Sequence, residues 1–162
     1  MAVSKAMNAR LNDQITNEFY SAQVYLAMAC MFEEMGLKML AAFFRKQAGE
    51  EREHGMKFVK FIPDVEGTVK LQAIPQPPGK YKSVTAAIEA ALEHERKVTD
   101  QINQIMALAE TEKDYATRAF INWFVDEQVE EVNTQLQLLQ VAKIAGERLL
   151  QLEAYVAQVL LK

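Results

Sequence analysis

Cysteine is nearly missing from this chain: Cys30 is the only one in 162 residues. No intrachain disulfide and no four-thiolate metal site can therefore form. Set within Ala27-Met-Ala-Cys-Met31, it reads as a small buried thiol. Long apolar runs are also absent. None reaches the roughly 18–20 residues that a membrane-spanning helix needs. The N-terminus, Met1-Ala-Val-Ser-Lys-Ala, has no apolar signal core, and the chain is read as cytoplasmic. There is no large excess of either charge. The net value is −4, with Lys and Arg scattered singly, which speaks against nucleic acid and anionic membranes as partners and is compatible with handling cations.

What is present is ordinary globular material: 50% apolar and 25% charged residues in one domain-sized chain, enough to bury a sizeable core. From Ser4 to Met35 neither proline nor glycine occurs, and apolar residues recur at helical spacing. The pattern predicts helices over about 4–35, 37–62, 83–112 and 114–145, with a short fifth over 147–161. Gly36 ends the first, Pro63 stops the second, and Ser83 and Asp114 cap the third and fourth.

Residues 64–82 hold Gly67, Pro75, Pro77, Pro78 and Gly79 and form a connection. So long a link calls for a purpose. A helix of some 26 residues is about 39 Å long at ~1.5 Å per residue. Nineteen extended residues reach roughly 60 Å at ~3.3 Å each. The link can thus return along the whole bundle and set the second and third helices parallel. The short links at Gly36 and Lys113 give antiparallel neighbours. The expected fold is all-α, a ferritin-like four-helix bundle with one long crossover and a short C-terminal helix.

Counting in sevens places polar groups inside the apolar stripes. Positions 11, 18, 25 and 32 read Leu, Glu, Tyr, Phe; 44, 51 and 58 read Phe, Glu, Phe; 40, 47, 54 and 61 read Leu, Gln, His, Phe. In the third helix 88, 95 and 102 read Ile, Glu, Ile, and in the fourth 117, 124, 131 and 138 read Thr, Phe, Glu, Leu, with Gln128 three before Glu131. Unpaired carboxylates buried in one layer are costly and repel each other. No Lys or Arg occupies those stripe positions, so bound metal is the natural counter-charge.

A second regularity agrees. Glu18 and Glu51 stand 33 residues apart, as do Glu95 and Gln128. The first half carries Glu then Glu-x-x-His, the second Glu then Gln-x-x-Glu. Residues three apart share a helix face, so two matched hairpins converge on one centre. Glutamates from two helices with Glu-x-x-His from others is the pattern of di-iron carboxylate bundles.

At these residues the chain resembles the non-haem ferritins of bacteria and archaea along nearly its whole length. The most specific stretches are Asn17-Glu-Phe-Tyr-Ser-Ala-Gln-Val-Tyr, Gly49-Glu-Glu-Arg-Glu-His, Glu93-His-Glu and Trp123-Phe-Val-Asp-Glu-Gln-Val-Glu-Glu. The resemblance implies that Glu18 and His54 ligate one iron, Glu95 and Glu131 the other, with Glu51 bridging and Gln128 a hydrogen-bonding partner. It also implies a tyrosine beside the centre at Tyr25, and a third iron site at Glu50, Glu127 and Glu130. The activity implied is ferroxidase: Fe(II) oxidised with O2 or H2O2, and ferric mineral stored in a homo-oligomeric shell of twenty-four subunits.

Other residues carry plainer expectations. Trp123, five residues before Gln128, is close enough to wall the centre but reads first as core, His94 reads as a non-ligand, and the eight methionines mostly as core. Animal ferritins place channel carboxylates ten and seven residues before the fourth-helix glutamine; here those positions are Arg118 and Ile121, which speaks against that entry route. Haem-containing bacterioferritins place a ligand methionine just after the bridging glutamate. Here that residue is Arg52, with Met56 facing elsewhere, so no haem is expected. A rubrerythrin-like peroxidase would need paired Cys-x-x-Cys motifs, which one cysteine excludes. A purely structural subunit would have lost ligands, and this chain keeps all six.

Overall fold

The computed structural model describes residues 2–162, and among them regular structure is entirely helical. Helix α1 spans Lys5–Glu34, α2 Lys38–Asp64, α3 Val84–Glu112 and α4 Tyr115–Ala145. A short α5, Leu149–Tyr155, runs on into a π-helical turn at Val156–Leu160.

The starts follow from local chemistry. Ser4 Oγ accepts the Met7 N–H at 3.0 Å, Ser83 Oγ the Ala86 N–H at 3.0 Å, and Asp114 Oδ1 the Thr117 N–H at 3.0 Å, each satisfying a first-turn donor. Helix α2 has Leu37 at its N-cap, which offers no side-chain acceptor of its own. Glu153 of α5 supplies it from a distance, accepting the Met39 and Leu40 N–H groups at 3.0 and 2.8 Å.

Two boundaries differ from expectation. Pro63 lies inside α2, which continues to Asp64. Proline there deletes one N–H bond near the helix end, and the Val65 N–H closes the last turn on Phe61 and Ile62. The fifth helix is not continuous over 147–161 but changes pitch at Val156.

Helix α1 packs on α2 and α3, and α3 on α4. The connection over residues 65–83 is tied along α1. Asn8 Oδ1 accepts the Thr68 N–H at 2.9 Å, Asn12 Nδ2 donates to the Thr68 carbonyl at 2.9 Å, and Gln72 donates to Asp13 at 2.9 Å. Further on, Tyr81 lies beside Tyr20. Rising numbers on both strands mean that the link runs parallel to α1. It therefore delivers α3 to the far end of the bundle, where α3 starts parallel to α2.

The core is split. One apolar cluster centres on Phe32, Leu40, Phe44, Ile88 and Leu138. The other centres on Leu11, Ile15, Phe58, Ile102 and Phe124. Glu18 on α1, Glu51 and His54 on α2, Glu95 on α3, and Gln128 and Glu131 on α4 fall between the two.

Several expectations shift here. Cys30 is exposed, because α1 turns Met28, Ala29 and Phe32 inward and leaves residue 30 on the outer face. Among the described methionines Met7 and Met28 are fully buried, while Met35 is 49% exposed. Ile121 is buried in the second cluster and Arg118 lies 4.0 Å from Glu110. No helix among the described residues is long and apolar enough to cross a membrane.

Candidate metal centre

The six residues expected at the metal centre meet in the layer between the clusters. Glu18 of α1, Glu51 and His54 of α2, Glu95 of α3, and Gln128 and Glu131 of α4 are each no more than 5% exposed. Three ligand sets converge so that one atom from each member lies within 4.8 Å of the others: Glu18, Glu51 and His54; Glu51, Glu95 and Glu131; and His54, Glu127 and Glu131. Glu51 belongs to the first two, so those sets share a side chain.

Neutral donors steer the carboxylates. Gln128 Nε2 donates to Glu95 Oε2 at 3.1 Å, to the Glu95 carbonyl at 3.2 Å and to Thr99 Oγ1 at 3.2 Å. Tyr25, fully buried, donates its hydroxyl to Glu95 Oε1. Gln14 Nε2 donates to Glu18 Oε1 at 2.8 Å. Around His54, Glu51 Oε2 lies 3.3 Å from Nδ1 and Glu127 Oε1 3.7 Å from Nε2.

Crowding shows in the proton affinities. Burial pushes Glu18 up to about 7; hydrogen bonds with Glu51 and Gln14 oppose it, and the Glu95 charge adds to it. Burial and the neighbouring negative charges of Glu95, Glu50, Glu127 and Glu18 push Glu131 up to about 9. Glu51 is raised well above its ordinary value by burial and by Glu95 and Glu18, and Glu95 is raised chiefly by burial. Burial and the Lys57 charge lower His54 to about 4, leaving a neutral imidazole with a lone pair to offer. Oxygen-rich carboxylates with one imidazole suit a hard or borderline divalent cation. Two such ions would match the four negative charges.

Glu50, Glu127 and Glu130 line one cavity of about 270 Å³ between α2, α4 and the C-terminal Val159 and Leu160. Of the three, Glu127 alone has an oxygen in a convergent set. Glu50 accepts from Gln47 Nε2 at 3.0 Å.

Trp123 is a correction. It is 41% exposed rather than core, and its ring stands edge-on to His54 at 5.4 Å with Lys57 Nζ 4.3 Å from its centroid. It walls the His54 side of the centre, as Phe124 does at 5.9 Å. His94 is turned away from the carboxylates, its Nε2 2.7 Å from Ser21 Oγ, and among the described residues it joins no convergent set. Sequence reasoning passed over Gln14. Its signal was a glutamine one turn before Glu18 on the same inward stripe.

Comparison with known proteins fits this architecture. The family model described as a ferritin-like domain matches residues 8–145. The chain is 38% identical over 151 residues to a ferritin, BfrB, of Mycobacterium tuberculosis, spanning 93% of this chain and 83% of that protein. It is 38% identical over 132 residues to a bacterial non-heme ferritin of Staphylococcus haemolyticus, spanning 82% and 80%. An open-pore ferritin from the archaeon Archaeoglobus fulgidus superposes with a TM-score of 0.94 at 40% identity, over 96% of this chain and 97% of that one. The chain belongs to the ferritin family of iron-storage proteins, as a non-haem ferritin of bacterial and archaeal type.

Proposed function

We propose that the chain is a ferroxidase: it takes Fe(II) as substrate into the buried layer, passes two electrons to O2, and releases Fe(III) for storage as mineral. The observation that carries this is the pair of convergent sets sharing Glu51, with four buried carboxylates, one neutral imidazole and no lysine or arginine among them. In this reading Glu18 and His54 hold one iron, Glu95 and Glu131 the other, and Glu51 bridges. Gln128 holds Glu95 through the bonds described above. Two Fe(II) give up one electron each, and O2 with two protons becomes H2O2. The added positive charge on iron is stabilised by the hard carboxylate oxygens. Tyr25, bonded to Glu95, orients that carboxylate. The Glu50, Glu127 and Glu130 cavity serves as a third iron position, and the Glu127 contact with His54 supports passage between it and the centre.

Assembly into a hollow shell of twenty-four copies in the cytoplasm, without haem, completes the proposal. Large apolar side chains left open to solvent, among them Leu71 at 72%, Ile144 at 77% and Leu150 at 83%, support contact with further copies. Arg52 after the bridging glutamate supports the non-haem reading.

Ferrous oxidation under air tests the centre. Glu51→Ala should abolish the rapid first phase in protein that still assembles. Glu130→Ala should leave that phase and change later turnovers. An unchanged first phase in Glu51→Ala would end the assignment, and a Glu130→Ala protein identical at every iron loading would end the third position.

A further inference from the structure

Glu18 and Glu95 are counterparts in the two matched halves, yet the fold holds them differently. Both oxygens of Glu95 have donors, Oε1 from the Tyr25 hydroxyl and Oε2 from Gln128 Nε2. Glu18 has one amide donor, Gln14, on Oε1 and lies in hydrogen-bonding contact with the Glu51 carboxyl, while its Oε2 is buried with no amide or hydroxyl donor. The residue four before Glu95, matching Gln14, is Ala91, which has nothing to donate.

Gln14 is itself held. It is 1% exposed, and its Oε1 accepts from Asn17 Nδ2 at 3.2 Å. An amide fixed at both ends has a defined orientation. Turning it over would set its oxygen against the Glu18 carboxylate and its NH2 against the NH2 of Asn17, opposing like with like twice. Asn17 faces an open polar cavity of about 540 Å³ between α1, α3 and the crossover, so the chain Asn17, Gln14, Glu18 runs from that cavity into the buried layer.

We infer that Gln14 is a positioning residue: by committing Oε1 of Glu18 it presents Oε2 to the cation shared with Glu51 and His54. This rests on the proposed two-ion centre and adds an asymmetry to it. The Gln14 bond governs the Glu18 position alone, whereas Gln128 and Tyr25 govern the Glu95 position. Partners that orient ligands in this way typically change metal affinity by about ten- to a hundredfold when removed.

The test is an oxygen-free titration of the assembled protein with Co(II), whose visible absorption reports coordination, comparing the native chain with Gln14→Met, which keeps length and loses the donor. Two steps at the buried centre are expected from the native protein, apart from any third ion taken up at Glu50, Glu127 and Glu130. In the variant one step should weaken about tenfold, with its absorption band altered and the other step unchanged. Ferrous oxidation should show KM raised by a similar factor and kcat within about twofold. Asn17→Ala, which frees the far end of the Gln14 amide, should weaken the same step about threefold, and decides the matter if Gln14→Met does not fold. Both steps unchanged, or both weakened equally, would overturn the inference. Native protein that fails to take up two Co(II) would remove the centre itself.

Discussion

At the scale of single residues, the polar layer extends further than its ligands. Gln135, one turn beyond Glu131 on the same face of α4, is fully buried, and neither its Nε2 nor its Oε1 has a hydrogen-bond partner. An unsatisfied buried amide costs about 1–3 kcal/mol relative to a paired one. Leucine is close to it in volume and carries no such penalty. Gln135→Leu should therefore raise the unfolding free energy of the metal-free protein by about 1–2 kcal/mol, measured by urea denaturation, while the first oxidation phase stays within about twofold. Lower stability would mean that the amide has partners in solution, such as ordered water. Residues of this kind also show what the sequence could reveal. Heptad counting found the inward faces, because each carboxylate interrupts an apolar stripe, and the structure brings all six counted residues together. It could not find depth. Cys30 and Trp123 sit among apolar neighbours in sequence, yet their helix faces have no covering element, and both are solvent-accessible. Gln14 was overlooked because one glutamine in a stripe carries no charge to demand a partner.

At the scale of elements, all four long helices start within one residue of expectation, and in three of them the cap is local. Ser4, Ser83 and Asp114 each sit three residues before the N–H they accept. Helix α2 is the exception, since its first-turn N–H groups are satisfied by Glu153, more than a hundred residues away. Nothing local announces such a cap. The same contact anchors α5, whose continuation brings Val159 and Leu160 to the cavity of Glu50, Glu127 and Glu130. Glu153→Gln keeps the shape but loses the charge that favours a helix N-terminus, and Glu153→Ala loses the acceptor too. Expected losses are about 0.5 and 1–2 kcal/mol respectively. Thermal unfolding measures both, and amide hydrogen exchange at Met39 and Leu40 should quicken in the alanine variant. Unaltered exchange there would show that α2 begins without help from the C-terminal helix. The shift from α-helix to a π-helical turn at Val156 had no counterpart in the apolar pattern, which continues through it.

For the whole molecule, the buried carboxylates link stability, protons and metal. Glu18 and Glu131 are raised to about 7 and 9, and Glu51 and Glu95 are raised too, burial being the first cause in each. In the unfolded chain these groups ionise near 4.5. A folded pKa above the unfolded one means that the folded state holds its proton longer. The resulting stabilisation is complete below about pH 4.5 and is lost as pH rises through the folded values. The metal-free protein should therefore become less stable from about pH 5 to pH 9, by up to about 1.4 kcal/mol per pH unit for each proton by which the states differ. Metal reverses the trend, because a divalent cation replaces the protons and removes the repulsion. Melting temperatures of metal-free and Co(II)-loaded protein, taken without oxygen from pH 5.5 to 8.5, should diverge as pH rises. Calorimetry at pH 7 should record net proton release on metal uptake, from Glu131 foremost. A metal-free protein that grows steadily more stable over that range, or metal uptake without proton release, would mean that the four glutamates are already ionised in the fold. Some other cation would then have to balance them in the layer between the two apolar clusters.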